Sequence, residues 1–315
     1  MENLKLSKNG MRLDAEVRNV PIGFVNGLRR ILLADIPTVV ISNVQILENT
    51  TQLTHEMLRH RVEMLPVNVL PTDVDVIRDT KLELRFQPSP EAREITSDDF
   101  VVAGPRREIL LKDRDLGTPL YFMKLNPNES VHIKATLMLD TQHSSQVCVS
   151  TFKNHIDEEQ ADTDRKLWIE NGGDPRVFDN FMIQRSYHKG PDGRADWFDF
   201  AVESIGVVPA KDLLRKAVDI FQGKILEWIK VPVQREEKGW YRMEMEGETF
   251  TIGQFIQEML YASGTVEFVS RDCGHPLVPK LTVRFHIKSA MQPELVIEDF
   301  RAKAVALCES ILKSV

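Results

Sequence analysis

A chain of 315 residues with 42% hydrophobic side chains is long enough for two domains and can fill ordinary cores without staples. A net charge of −7 and a pI near 5.7 argue against a protein that holds nucleic acid mainly through its own phosphate contacts, which would need a basic face. Three cysteines without CxxC spacing, Cys148, Cys273 and Cys308, argue against a disulfide framework or a zinc cage and fit a reducing compartment.

The N-terminus, MENLKLSKNG, lacks an apolar h-region, and no stretch approaches the roughly 18 apolar residues of a membrane span. Residues 4–17 alternate in part around Asn9-Gly10, a hairpin turn signal, and predict two short strands. The stretch 19–41 organises the rest. Phe24, Leu28, Ile31 and Leu32 recur at three- and four-residue spacing as one apolar stripe, while Asn26, Arg29, Arg30 and Leu33 form a neighbouring one. Pro37 stops this helix and pushes Ile36 out of helical geometry, so 38–41 continue as a β-branched strand. Periodicity alone favours a solvated cationic face over a core stripe; the competing reading is a partner surface, since guanidinium groups bond carboxylates in a fixed fork.

A strand at 39–47 leads to a helix over 53–65, with Leu53, Met57, Leu58, Val62 and Leu65 in one stripe and Pro66 as its stop. His60 and Arg61 stand off that stripe. His60 reads as structural, because no Cys, His or carboxylate pair sits at metal spacing around it. From 70 to 196 the texture becomes that of an inserted, mostly β module, with strands at 81–86, 108–111 and 131–139 and a loose, proline-bearing surface loop at 86–105. His143, Cys148 and His155 tempt a metal reading, but 147–152 reads as a strand with Cys148 as a small apolar residue. The run Asp157, Glu158, Glu159, Asp162 and Asp164 lacks the glycine and spacing of a calcium loop and reads as a solvated face. Gly172-Gly173 is turn chemistry, because no Gly-Lys-Ser/Thr follows.

A strand at 197–207 puts Phe198, Phe200, Val202 and Ser204 on one side. The helix after it is the clearest in the chain, with Leu214, Val218, Phe221, Ile225 and Trp228 on one face. Pro232 ends it, and 231–238 is a short charged linker. The remainder repeats the grammar: a strand at 240–245, a helix at 251–262 with Ile252, Phe255, Ile256 and Leu260 in register, strands at 266–268 and 281–287, and a helix at 294–315 carrying Ile297, Phe300, Ala304, Cys308 and Ile311. Strand, helix, strand, long helix thus occurs twice. Two long amphipathic helices too apolar to stand alone pack most economically against each other.

The segment 26–39, NGLRRILLADIPTV, followed by 60–67, HRVEMLPV, resembles the α-type assembly component of cellular RNA polymerases, the third-subunit class of eukaryotic polymerase II and the archaeal D type. Residues 197–229, with FAVESIGVVPAKDLLRKAVDI, resemble the point where that component returns from its insert to its dimerisation domain. Residues 248–287, ETFTIGQFIQEML through CGHPLVPKLTVRFHI, resemble the small partner class, the eleventh-subunit or archaeal L type. The resemblance implies an α+β fold: an α-like dimerisation domain closed as an intramolecular pseudo-dimer, with an inserted mostly β domain. Its implied parts are 1–41 plus 197–230 as the third-subunit-like domain, 42–196 as the insert, 231–238 as the linker and 239–315 as the eleventh-subunit-like domain. Such fusions are expected among large DNA viruses, which would place the chain in the virion and the infected cell.

The resemblance further implies a non-catalytic scaffold that binds the largest and second-largest polymerase subunits, with a small tenth- or twelfth-type subunit as a further candidate, no sequence-specific nucleic-acid contact and no membrane. Asn26, Arg29, Arg30, Leu33, His60, Arg61, Leu65 and Pro66 would face the partners, while Leu214, Val218, Phe221, Ile225, Trp228, Ile252, Phe255, Ile256, Ile297, Phe300, Ala304 and Ile311 would form the pseudo-dimer core. No cofactor or metal is implied; the cysteine cluster that some relatives carry in the insert is absent from 86–105. Gly27 stands where alanine is usual and Glu63 where glycine is. No aspartate triad of the NADFDGD type occurs, so chemistry would lie on other subunits. Three competitors are a homodimeric α-like scaffold, an enzyme in the insert using the acidic run or His143 and His155, and a free nucleic-acid binder. The second lacks a nucleophile motif or phosphate loop, and the third lacks a basic face and aromatic RNA-binding motifs.

Overall fold

Residues 12–18 alternate so that Leu13, Ala15 and Val17 share one side, and in the computed structural model they form a strand with that side buried. The structure describes residues 1–141, 147–237, 239–247, 250–275, 277–288 and 291–315. β1 (Glu2–Ser7) and β2 (Arg12–Arg18) make an antiparallel hairpin across a tight turn in which Lys8, Asn9 and Gly10 all take positive φ. α1 (Ile22–Ala34) stops before Pro37, and β3 (Thr38–Asn49) follows. α2 (His55–Glu63) is capped by the Thr54 hydroxyl, which accepts from the Met57 amide.

Next come α3 (Val74–Asp79), β4 (Lys81–Phe86), β5 (Arg93–Thr96), β6 (Val101–Ala103), β7 (Tyr121–Leu125), β8 (Val131–Asp140) and β9 (Cys148–Asn154). Two helices, α4 (Glu158–Glu170) and α5 (Pro175–Asn180), precede β10 (Trp197–Ser204) and the long α6 (Ala210–Ile229). The chain continues through β11 (Gln234–Arg235), β12 (Trp240–Glu246), α7 (Gly253–Ala262), β13 (Val266–Asp272), β14 (Lys280–Ile287) and α8 (Pro293–Ser314).

These elements cluster into two units. Unit 1 comprises Met1–Leu32, Ser150–Val202 and Leu214–Val315; unit 2 comprises Leu33–Val149 and Glu203–Leu213. In unit 1 one sheet has the order β1-β2-β10-β9 and another the order β11-β12-β14-β13. β10 buries Phe198, Phe200, Val202 and Ser204, and β14 buries Leu281, Val283, Phe285 and Ile287, as alternation requires. Unit 2 is built on the sheet β3-β8-β4-β6 and the ribbon β5-β7, with Leu58 and Val62 of α2 in its core beside Leu84, Ile95, Phe122 and Ile133.

Three expectations differ from what is found, and a fourth holds on an element that was not expected. The stretch 86–105 is not a bare loop: it carries β5, which pairs with the distant β7, and β6, which pairs with β4, and it buries Ile95 and Phe100. Residues 108–111 form no strand among the described residues; they make isolated ladder bonds, Asn68 N to Ile109 O at 2.6 Å and Leu111 N to Pro66 O at 3.2 Å. The acidic run is solvent-facing as expected, with Glu158, Glu159 and Asp162 exposed, but it lies on a helix the sequence reading did not place: it starts α4, where Asp157 caps by accepting from the Gln160 amide. Finally, the units do not divide at 42 and 196. Residues 150–196 fall in unit 1, where β9 pairs with β10, and β3 falls wholly in unit 2, where it pairs with β8.

Candidate assembly interface

α1 turns Phe24, Leu28, Ile31 and Leu32 inward, and all four are buried. The Phe24 ring meets Phe221 of α6 edge-on at 5.1 Å and Phe255 of α7 at 5.8 Å, while Phe221 and Phe255 meet at 5.2 Å. Phe300 of α8 extends the cluster, 6.0 Å from Phe255 and 5.5 Å from Trp228 of α6. Five rings from four helices thus interlock, and each such pair adds about 0.5–1.5 kcal/mol beyond its buried area. α6 also reaches the far end of α8, where Arg215 Nη2 donates to the Val315 carbonyl at 3.1 Å. Leu214, Val218, Phe221, Ile225 and Trp228 on α6, Ile252, Phe255 and Ile256 at α7, and Ile297, Phe300, Ala304 and Ile311 on α8 are all buried.

Two glycines four residues apart allow this closeness. A Cβ on Gly23 would lie 2.6 Å from the Phe255 backbone nitrogen, and one on Gly27 would lie 2.4 Å from a ring carbon of Phe221. Glycine at 27, in place of the usual alanine, is therefore what the Phe221 ring requires. The first turn of α1 leaves amides without helical partners, and one is met from far along the chain: Gly23 N donates to Glu258 Oε2 of α7 at 2.8 Å. Gln254 Nε2 donates to the other oxygen of the same carboxylate, Glu258 Oε1, also at 2.8 Å. Sequence reasoning missed Glu258, whose partner lies 235 positions away; the glycine pair was the available signal for a close helix approach.

The other side of α1 is polar and half-exposed. The Arg29 guanidinium is steadied by Asn26 Oδ1 at 3.1 and 3.3 Å. The neighbouring Arg30 keeps a buried Nε that has no acceptor among the described residues. The remaining predicted interface residues belong to unit 2. His60 is exposed, and Leu33 and Pro66 are half-buried. Arg61 is exposed yet anchored, donating to the Phe122 carbonyl and lying 5.9 Å from that ring. Leu65 is a correction. It is only 6% exposed and belongs to the unit 2 core, because α2 ends at Glu63 and the chain then turns Leu65 inward beside Val62.

The outer face of the β1-β2-β10-β9 sheet carries a second polar assembly. Glu16 accepts from Asn3 at 2.7 Å, Arg18 at 2.9 Å and the Trp197 indole at 3.1 Å, and the Asn3 bond above all holds its carboxyl below the usual range. Arg18 lies over the Trp197 ring at 3.4 Å, and His155 stacks on that ring at 3.7 Å with Nδ1 2.7 Å from Asp199. His155 is thus committed to structural contacts, and His143 lies outside the described residues. Burial pushes the Cys148 and Cys308 thiols up to about 12, which suits neither nucleophile nor metal ligand. Among the described residues no three His, Cys, Asp or Glu groups are placed to hold a metal, and no helix is long and apolar enough to cross a membrane.

The geometry is that of two similar units of sequence closing on one helical core. Comparison with known proteins finds the RNA polymerase Rpb3/Rpb11 dimerisation domain twice, over residues 15–225 and 241–314. The chain is 23% identical over 314 residues to the conjugation stage-specific protein of Tetrahymena thermophila, covering 76% of this chain and 98% of that protein. It is 24% identical over 282 residues to the DNA-directed RNA polymerases I and III subunit rpac1 of Dictyostelium discoideum, covering 70% and 79%. It is likewise 24% identical over 255 residues to the DNA-directed RNA polymerase II subunit RPB3 of Schizosaccharomyces pombe, covering 70% and 82%.

Proposed function

The chain belongs to the RNA polymerase Rpb3/Rpb11 dimerisation family, and on that premise we propose that it is a non-catalytic assembly subunit of a multisubunit DNA-directed RNA polymerase. Two dimerisation domains stand in tandem on one polypeptide, so the pairing that builds the platform is intramolecular. The observation that carries this reading is the aromatic cluster, in which Phe24 and Phe221 from the first matched segment interlock with Phe255 and Phe300 from the second. Tethering the halves raises their effective concentration to about millimolar for a short linker, which removes the need for a separate partner chain.

The platform would then offer distinct surfaces to the largest and second-largest subunits, with the active site on those subunits. The outer stripe of α1, with Asn26, Arg29 and Arg30, is assigned to the second-largest subunit, together with Leu33, His60, Arg61 and Pro66 of unit 2; the α7 side is assigned to the largest. The half-exposed Arg29 and Arg30 guanidinium groups on this stripe favour a partner that brings carboxylates. The setting is intracellular; a viral source remains part of the proposal, whereas the relatives named above come from a ciliate, an amoeba and a yeast.

Co-expression of the full chain with its second-largest subunit tests this. Arg29→Glu with Arg30→Glu should leave the melting temperature within a few degrees of the parent and reduce capture by at least about a hundredfold, the scale of a lost interfacial ion pair. Undiminished capture would show that the stripe is only solvated.

A further inference from the structure

We propose that the cleft between the turn at 190–196 and the outer side of α7 is a docking site for an arginine-bearing extended segment of another protein. The inference goes beyond the assembly role assigned above and does not depend on it. The cleft has a volume of about 690 Å³, and every residue lining it belongs to unit 1. It is lined by residues 19–22 at the entry to α1, by the turn, and by Glu258, Met259, Tyr261 and Ala262 of α7.

The cleft is held in shape by its own hydrogen bonds. Val20 N donates to the Asp196 carbonyl at 3.4 Å and Gly190 N to the Arg194 carbonyl at 2.8 Å, which pins the turn beside the entry to α1. Gly190 packs against Asp196, so that a Cβ there would lie 2.7 Å from Oδ2. On α7, Gly23 N and Gln254 Nε2 each hold one oxygen of Glu258 at 2.8 Å. Groups fixed in advance lose little freedom when a partner arrives.

Charge within the lining selects the occupant. The ionisable groups there are Asp192, Asp196, Glu258 and Arg194. Arg194 is exposed and pairs with Asp192, at 4.0 Å. Asp196, whose side chain is 22% exposed, meets the His188 imidazole, and the half-buried Glu258 meets only neutral donors. Among the described residues no Lys or Arg pairs with either carboxylate. A carboxylate oxygen that accepts one hydrogen bond has room for another, so the cleft presents two oriented carboxylates without a matching cation. Beside them lie Pro21, Ile22, Pro191, Met259 and the exposed ring of Tyr261. Arginine suits both parts, because its stem covers apolar surface while its planar fork bonds carboxylates. Proline and tyrosine surfaces favour an extended, proline-rich backbone to carry it.

The test titrates the full chain with a short synthetic peptide carrying arginine between prolines and leucine, with the same peptide bearing glutamine for arginine, and with free arginine. The arginine peptide should bind, slow amide exchange within 190–196 and 258–262, and lose affinity in high salt. Glu258→Gln with Asp196→Asn keeps the shape of the cleft and should weaken binding at least about tenfold. Tyr261→Ser changes an exposed side chain and should weaken it about threefold. Arg194→Ala, which takes a cation out of the lining, should instead tighten binding about twofold or more. Absent binding of the arginine peptide, equal binding of the glutamine peptide, or exchange protection confined to other segments would overturn the proposal. So would unchanged affinity in the carboxylate and Tyr261 variants, or weaker binding by Arg194→Ala. Free arginine binding as tightly as the peptide would overturn it equally, since the cleft would then take a small cation and not a chain.

Discussion

Unit 1 has an inside built of rings and an outside built of charges, and the two are held by different physics. Inside, Phe24, Phe221, Phe255, Phe300 and Trp228 come from four helices and are fully or almost fully buried, so their contribution depends on shape and tolerates little change. Outside, Asn26, Arg29 and Arg30 on α1, and Glu16, Arg18 and His155 on the sheet, are partly wet, so each pair is worth little to stability. The same helix, α1, belongs to both. What is learned is a division of labour: the inner face decides whether the halves close, and the outer face is left to decide what they meet.

The largest effect that could break this contrast comes from the inside. Phe221→Ala should cost about 3–5 kcal/mol in chemical denaturation, because the ring touches both Phe24 and Phe255. A cost below about 1 kcal/mol would mean that the helices are not interlocked. Next is Gly23→Ala, whose added carbon would meet Phe255 backbone atoms that cannot swing away. Overpacking of that kind costs about 1–3 kcal/mol, against a gain in helix propensity of about 1 kcal/mol. The thermal midpoint should therefore fall; a rise would show that α1 and α7 are not in contact there.

Glu258→Gln sharpens the comparison at its margin, since this carboxylate sits between the two regimes. Replacing an acidic cap of α1 by a neutral one should cost about 0.5–1 kcal/mol and should matter less at high salt. The smallest effect lies on the sheet. Because Glu16 titrates below its ordinary value, its contribution is present above the unfolded-state pKa and is lost as pH falls through the lower, folded value. Glu16→Gln should lower stability slightly at pH 7, where that contribution is present, leave it unchanged at low pH, and so flatten the acid limb of the stability curve; an unchanged acid limb would mean that Asn3 and Arg18 do not hold it.

Much of the inside was legible in the sequence. α6, α8, β4 and β8 carry unbroken periods of 3.6 or 2, and the packing of the long helices against each other follows from their having no other way to leave water. The ring cluster itself was legible only as a list of apolar positions, because which ring meets which is decided by contacts across most of the chain. The same distance hid Glu258, whereas the pairing of β5 with β7 is closer in sequence and was hidden by reading 86–105 as a loop. α4 was hidden differently: its first turns are so acidic that they read as a solvated run, although acids there are what a helix start favours. Leu65 shared the period of Leu58 and Val62 and is buried in the same core, so its spacing pointed to the right environment and only the resemblance placed it at a partner surface.

Sedimentation equilibrium of the isolated full chain bears most directly on whether its two unlike halves satisfy each other. A single species of about 36 kDa is expected at all practical concentrations, because the apolar faces of α6, α7 and α8 are already buried in the shared core. A stable species of twice that mass, dissociating only as the chain unfolds, would mean that the halves pair between molecules and would contradict intramolecular closure outright.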